Sequence, residues 1–191
     1  MRGFFAMLSR MKYIDRWGLM RCTRNETLSE HTLETAMLTH ALIAIANERF
    51  GEQLDAGEGV LYALYHDAPE IVTGDLPTPV KYHDEQIRGA YRAIEEQATE
   101  QLLSLLPDSL RGSFAPYFEE GNAYTPYVKA ADKLSALIKC IEESRAGNRE
   151  FDEAKRAALA HPSLSLPAAR VFLEEFLPAY SLTLDEVGKF E

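Results

Sequence analysis

Apolar residues along this chain recur at spacings of three and four. No stretch shows the sustained period-two alternation of β-branched residues that marks strands, so the pattern predicts an all-α protein. Thr27-Leu28-Ser29-Glu30 has the form of a capping box, and the run behind it carries Leu33, Ala36, Met37, Ala41 and Ala44 at helical spacing. Leu38, Leu42 and Ile45 widen that stripe over much of the circumference, which predicts a central helix. Gly57 and Gly59 precede a second stripe, Val60, Leu61, Leu64, Tyr65 and Ala68, that ends near Pro69. The segment Thr73-Gly74-Asp75-Leu76-Pro77-Thr78-Pro79 is a shaped loop, because each proline removes a donor and restricts the residue before it. From Asp84 to Leu106 the helical pattern returns, with Ile87, Tyr91, Ile94, Ala98 and Leu102 on one face and Pro107 as the stop. Thr125-Pro126 reads as an N-cap with proline at the first helical position, followed by Val128, Ala131, Leu134, Ser135, Ile138 and Ile141, with Gly147 as C-cap. Two shorter helices near 149–160 and 167–177 complete a single domain, residues 1–191, of about seven helices.

Composition narrows the class. The 191 residues are 46% hydrophobic, enough for one full core, which excludes disorder. No stretch free of Asp, Glu, Lys and Arg exceeds 13 residues, short of the about 20 that a membrane-spanning helix needs. A signal-like run from Gly3 to Ser9 is interrupted by Arg10 and Lys12 with no cleavage site behind it, so the start is read as part of the fold. Cys22 and Cys140 stand far apart in a chain large enough to need no staple, and a reduced, cytoplasmic protein is expected. Thirty acidic against twenty basic residues, a net charge of −10, repel a phosphate polymer and disfavour nucleic-acid binding. A small anionic substrate stays open, since local cations or a metal reverse the field inside one pocket.

Five histidines occur, and only His66 is followed directly by an aspartate, Asp67. The doublet closes the apolar run 60–65, where a charged group needs a partner, and a metal is one such partner. His31 sits one turn inside the cap of the broad helix, and Asp132 interrupts the apolar stripe of the helix after Thr125. Taken singly, His31 reads equally as a helix-start imidazole, and Asp132 as the partner of Lys129 or Lys133. Together they supply two imidazoles and two carboxylates, a nitrogen and oxygen set suited to one divalent ion among Mn2+, Fe2+, Co2+, Ni2+ and Zn2+. His40, His83 and His161 have no such company.

His31, His66-Asp67 and Asp132 resemble the H…HD…D signature of the HD-domain metal-dependent phosphohydrolases. The segments Ile14-Asp15-Arg16-Trp17, Ser29-Glu30-His31, Tyr65-His66-Asp67-Ala68-Pro69-Glu70, Thr73 to Lys81 and Ala130-Ala131-Asp132 are similar to the bacterial 5′-deoxynucleotidase branch. That resemblance runs over nearly the whole chain. It implies an all-α HD-domain helical bundle, usually a homodimer, that removes the 5′-phosphate from deoxyribonucleoside 5′-monophosphates and discriminates against ribonucleotides. It further implies that His31, His66, Asp67 and Asp132 hold the metal and that Glu70 prepares the attacking water. Arg16 would contact the nucleotide, Trp17 would shape the sugar pocket, and Asp75 would act near the sugar or the leaving oxygen. Gly18 departs from the family pattern after the Arg-Trp pair.

The residues allow second readings. Glu70 reads as a base one turn beyond His66 or as an exposed carboxylate at a helix end; Trp17, the single tryptophan, as a pocket wall or as core. Lys81 reads as a phosphate contact or as an exposed lysine after a Pro-rich loop. The rival functions are another HD-type nucleotide phosphohydrolase and a non-catalytic HD-domain nucleotide sensor or partner protein. An alarmone hydrolase would carry an acidic residue where Ile71 follows Glu70, and the Gly-Tyr-Pro of cyclic-dinucleotide phosphodiesterases is missing. Val171, Phe172, Phe176, Leu177 and Tyr180 give the last helix enough apolar surface to dock on the core and to contribute to a homodimer.

Overall fold

The computed structural model describes residues 2–81 and 84–188, without the side chains of Thr78 and Pro79. Their α-helices are α1 (Phe4–Leu8), α2 (Leu28–Phe50), α3 (Ala56–Tyr65), α4 (Glu70–Thr73), α5 (Thr78–Lys81), α6 (Glu85–Ser104), α7 (Asp108–Phe114), α8 (Thr125–Arg145), α9 (Asp152–Leu159), α10 (Pro167–Glu175) and α11 (Leu184–Val187). Seven of these run seven residues or more, matching the number expected, and the others are single turns. Among the described residues the only extended pairing is one isolated antiparallel bridge, Asp15 with Thr27.

The predicted capping box forms. Thr27 Oγ1 accepts from the Glu30 amide and Glu30 Oε2 accepts from the Thr27 amide, which fixes where α2 begins. The helix ends at Gly51 with φ 74°, a left-handed cap that a side chain would strain. α2 is central as expected, packed against α3, α8 and α10, but its apolar stripe is not buried all round. Leu33 and Met37 remain 57% and 59% exposed, because the neighbours cover the row through Leu28, Thr35, Leu38, Leu42 and Ile45 instead.

Two helix starts and one helix face differ from the pattern reading. Gly57 and Gly59 lie inside α3, whose start is set by Asp55 Oδ1 accepting from the Gly57 and Glu58 amides. Gly59 is needed for close approach, since a Cβ there would stand 2.1 Å from Ile43 Cδ1 of α2. Thr125 is already helical, and Asn122 Oδ1 accepts from the Tyr124 and Thr125 amides in its place. α6 buries Tyr91, Ala98 and Leu102, but Ile87 and Ile94 stay exposed because its first half rests only on the single turns α4 and α5. α10 and the turn after it dock on the core: Phe172 is buried and Val171, Leu177 and Tyr180 pack beside it, leaving Phe176 outside.

Residues 21–24 are bound to the C-terminal half of α8 by one buried carboxylate. Glu143, 1% exposed, accepts from the Thr23 amide (2.9 Å), the Thr23 hydroxyl (2.8 Å), Asn148 Nδ2 (2.8 Å) and Lys139 Nζ (2.5 Å). Lys139, itself buried, also donates to the Arg24 carbonyl. Burial opposes ionisation of Glu143, but these donors outweigh it and hold its pKa well below the ordinary carboxylate range. Glu143→Ala leaves the Lys139 ammonium buried without its counter-charge and is expected to cost about 3–5 kcal/mol in denaturant unfolding. With the folded pKa depressed, this contribution is complete above the unfolded value of about 4.3 and is lost as pH falls toward the folded one. Stability should therefore drop below about pH 4, and Glu143→Gln should flatten that slope.

Candidate metal centre and active site

Three elements meet at one point. His31, fourth residue of α2, is wholly buried; His66 and Asp67 come from the turn that ends α3; Asp132 comes from α8. His31 Nε2 lies 3.5 Å from Asp67 Oδ2 and 3.3 Å from Asp132 Oδ1, and His66 Nε2 lies 3.1 Å from Asp67 Oδ2. One donor atom each from His31, His66 and Asp67 falls within 4.8 Å of the others, the spacing of ligands around a single ion.

The ring nitrogens turned away from this point are already committed. His66 Nδ1 stands 2.7 Å from the Ala63 carbonyl, which only accepts, so Nδ1 carries the hydrogen. Ser135 donates to Glu34 Oε2 at 2.6 Å, which leaves its oxygen to accept from His31 Nδ1 at 2.9 Å. In the neutral rings both Nε2 atoms are then lone pairs aimed at carboxylates. The buried Nε2 of His66 has no hydrogen-bond partner. Lone pairs facing carboxylates at these distances repel unless positive charge lies between them, so the residues fit a cation held by Nε2 atoms whose opposite ring edges are fixed by donors. The same electrostatics appear in the acids: burial opposes ionisation of Asp67 and Asp132, but the facing imidazoles, and Lys133 for Asp132, depress both pKa values.

Asp132 meets both readings of its role, since Oδ1 faces His31 while Oδ2 pairs with Lys133 Nζ at 3.0 Å; Lys129 turns to Glu120 instead. Glu70 is not an exposed helix end. The chain breaks at residues 66–69 and restarts at α4 with Glu70 buried, its Oε2 without a partner. Burial first, then Asp67 and Asp75, push its pKa up to about 9, against the pull of Lys81 and Arg16. Lys81 is engaged rather than free: Nζ contacts Glu95 at 2.9 Å and Glu70 at 3.8 Å and stands over the Tyr91 ring.

The arm before α2 supplies the other wall. Arg16 is 11% exposed at its side chain, 3.6 Å from Glu26 and 3.9 Å from Asp75, with Nε and Nη1 making no hydrogen bond. Burial disfavours its charge, but Glu26, Asp132, Asp67 and Asp75 more than restore it. Burial and Asp67 raise the Asp75 pKa while Arg16 opposes them. Trp17 is half-buried against Phe151 at 5.2 Å, and its Nε1–H donates to Glu26 at 2.7 Å. Gly18 does not take the unusual backbone of this turn; Trp17 does, with φ 63°. His40 is exposed, His161 bonds locally to Ser163, and His83 lies outside the described residues.

Sequence reasoning missed Glu26, Glu34, Glu95 and Phe151 as neighbours of the site. It took Ser135 for a core position, although a hydroxyl one turn beyond Asp132 in an apolar stripe was the available signal. Ser135→Ala removes the acceptor that orients His31 and is expected to weaken divalent-metal affinity about 10- to 100-fold. Chelator competition on the folded variant measures this, and wild-type affinity would show that Ser135 only fills space.

Comparison with known proteins agrees with this architecture. The family model described as "5′-deoxynucleotidase YfbR-like" matches residues 3–180. A protein of Salmonella paratyphi B named 5′-deoxynucleotidase YfbR is 49% identical over 97% of this chain and 96% of its own length. Among solved structures, an HD-domain phosphohydrolase of Listeria innocua superposes with a TM-score of 0.81 at 24% identity, covering 93% of this chain and 87% of that one. The cyanophage S-2L HD phosphohydrolase DatZ, described with dA and one catalytic Zn2+ ion, superposes at 0.61 with 19% identity, over 91% and 95% of the two chains. With that family matched across nearly all of its helices, the chain belongs to the YfbR-like 5′-deoxynucleotidases.

Proposed function

We propose that this chain hydrolyses deoxyribonucleoside 5′-monophosphates to the deoxynucleoside and phosphate, in preference to ribonucleotides. The observation that carries the reading is the pair of Nε2 lone pairs facing Asp67 and Asp132 beside the buried Glu70, whose Oε2 makes no hydrogen bond. The names of the relatives and the dA described with the phage protein support the substrate class. His31, His66, Asp67 and Asp132 would hold one divalent ion of the Mn2+ to Zn2+ group. Bound there, the ion supplies a Lewis acid for a phosphoryl oxygen and lowers the pKa of water.

The chain's own residues do the rest. Glu70 accepts the proton of the attacking water as the new O–P bond forms and the P–O5′ bond breaks, O5′ leaving as the alcohol with a proton from solvent or from Asp75, and no covalent phosphoenzyme forms. Lys81 beside Glu70 opposes, without overcoming, the burial and carboxylates that push its pKa up, and the positive charge of a divalent ion held next to Asp67 would act in the same direction, toward the ionised form that a base needs. Arg16, with two buried N–H positions uncommitted, contacts the nucleotide; Trp17 walls the sugar; Asp75 serves the sugar or the leaving oxygen. No described helix is long and apolar enough to cross a membrane, and the thiols of Cys22 and Cys140 are free, which supports a cytoplasmic setting. The exposed pair Leu33 and Met37, one turn apart on α2, supports a homodimer.

Phosphate release from a deoxyribonucleotide by the purified protein, with and without added divalent metal, tests the reading and separates it from a non-catalytic sensor. Glu70→Ala should retain metal and nucleotide binding while turnover falls about 10²- to 10⁴-fold, whereas His66→Ala should lose metal and turnover together. Near-normal turnover in Glu70→Ala would falsify the assignment of the base. Light scattering should report a dimer at micromolar concentration that Met37→Glu converts to a monomer; a wild-type monomer rules the dimer out.

A further inference from the structure

We infer that Glu26 is a positioning residue for sugar selectivity, its buried carboxylate fixing the Trp17 indole and the Arg16 guanidinium together. This rests on the reading above that Arg16 and Trp17 face the nucleotide.

Trp17 sits on a turn closed by the Met20 amide donating to its carbonyl at 2.8 Å. Its φ of 63° lies in a region that bulky residues rarely adopt, and the next residues, Gly18 and Leu19, are exposed and brace nothing. The ring meets the Phe151 ring and the Arg16 guanidinium, 5.9 Å from its centroid, and its one hydrogen bond is from Nε1–H to Glu26 Oε2 at 2.7 Å. The Phe151 contact, tilted by 58°, is non-directional, so the hydrogen bond is the contact that fixes the rotation of the indole.

The same oxygen lies 3.6 Å from Arg16 Nη1, close enough to attract the guanidinium without occupying its donors. Glu26 therefore aims Arg16 while leaving Nε and Nη1 able to bond an incoming anion. The backbone reinforces the arrangement, since the Arg16 amide donates to the Glu26 carbonyl at 2.9 Å and Asp15 bridges to Thr27. Glu26 is 7% exposed and stands directly before the Thr27 cap of α2, five residues ahead of His31. The sugar wall is thus indexed to the metal-ligand helix, and a small rotation of the indole would change the gap between sugar and metal. No other element of the described chain ties Trp17 and Arg16 to α2 through one group.

The test compares Glu26→Ala, Glu26→Gln and Trp17→Ala with the wild type, reading kcat/KM for dAMP and AMP, metal content, and tryptophan emission. Trp17 is the only tryptophan, so the emission reports its surroundings alone. Glu26→Ala is expected to lower the dAMP-to-AMP preference about tenfold and to shift the emission to the red, with metal content unchanged. Glu26→Gln keeps an acceptor for the indole but not the charge beside Arg16, so ratio and emission should stay near wild type while KM rises several-fold for both nucleotides. An altered ratio in Trp17→Ala with wild-type ratio and emission in Glu26→Ala overturns this inference and leaves the sugar wall standing. An unchanged ratio in Trp17→Ala overturns the sugar wall and this inference with it. Should Glu26→Ala fail to fold, Glu26→Gln decides: unchanged KM for both nucleotides overturns the role of Glu26.

Discussion

A fully buried imidazole between two long helices is the constraint on which the rest of this structure depends. Burying His31 in the seam of α2 and α8 is tolerable only if both ring nitrogens find partners, because a polar atom left unsatisfied in a core costs more than packing returns. Ser135 meets Nδ1, and the Thr35 hydroxyl lies 3.4 Å from Nε2, where a cation shared with Asp132 and Asp67 would also be held. Asp132 and Ser135 stand three apart on α8 and so share a face, which sets how α8 rotates and slides against α2. The apolar contacts of Leu38, Leu42, Leu134 and Ile138 then lock a register that the polar seam has specified.

From that seam the site is assembled outward by short, irregular elements. The break at residues 66–69 turns His66 and Asp67 toward His31 and sends Glu70 into a dry position on the next turn. The loop from Gly74 to Pro77 returns Asp75 to Arg16, and α5 brings Lys81 to Glu70 and Glu95. Loops can carry these groups because rigid helices hold their ends. The arm preceding α2 follows the same rule: Glu143 and Lys139 pin residues 23–24 to α8, and the bridge at Thr27 pins the other strand of the arm to the cap of α2.

Charge in the site runs against the charge of the chain. A net −10 spread over the surface repels extended polyanions, yet Arg16, Lys81 and Lys133 gather within the space that Asp67, Glu70, Asp75 and Asp132 occupy. Those cations lie 2.9 to 3.9 Å from carboxylates that offset them, and a divalent ion held there would add positive charge to the pocket.

Sequence alone determined the all-α class, the Thr27–Glu30 cap and the stop near Gly147, because periodicity and capping are written within a few residues of one another, and it singled out His31, His66, Asp67 and Asp132, which the fold brings together. It also supplied Glu70, Arg16 and Trp17 through a family resemblance carried by contiguous segments. It did not determine which apolar positions were covered. Leu33, Met37, Ile87 and Ile94 have the period of core residues and are exposed, since burial is decided by where neighbouring helices lie. Nor did it give the partners of the site. Ser135 meets His31 across 104 residues, Thr23 meets Glu143 across 120, and Gly59 matters only because Ile43 of another helix comes against it. Such pairings leave no local signature; they exist once α2 and α8 have packed, and so the tertiary structure alone decided them.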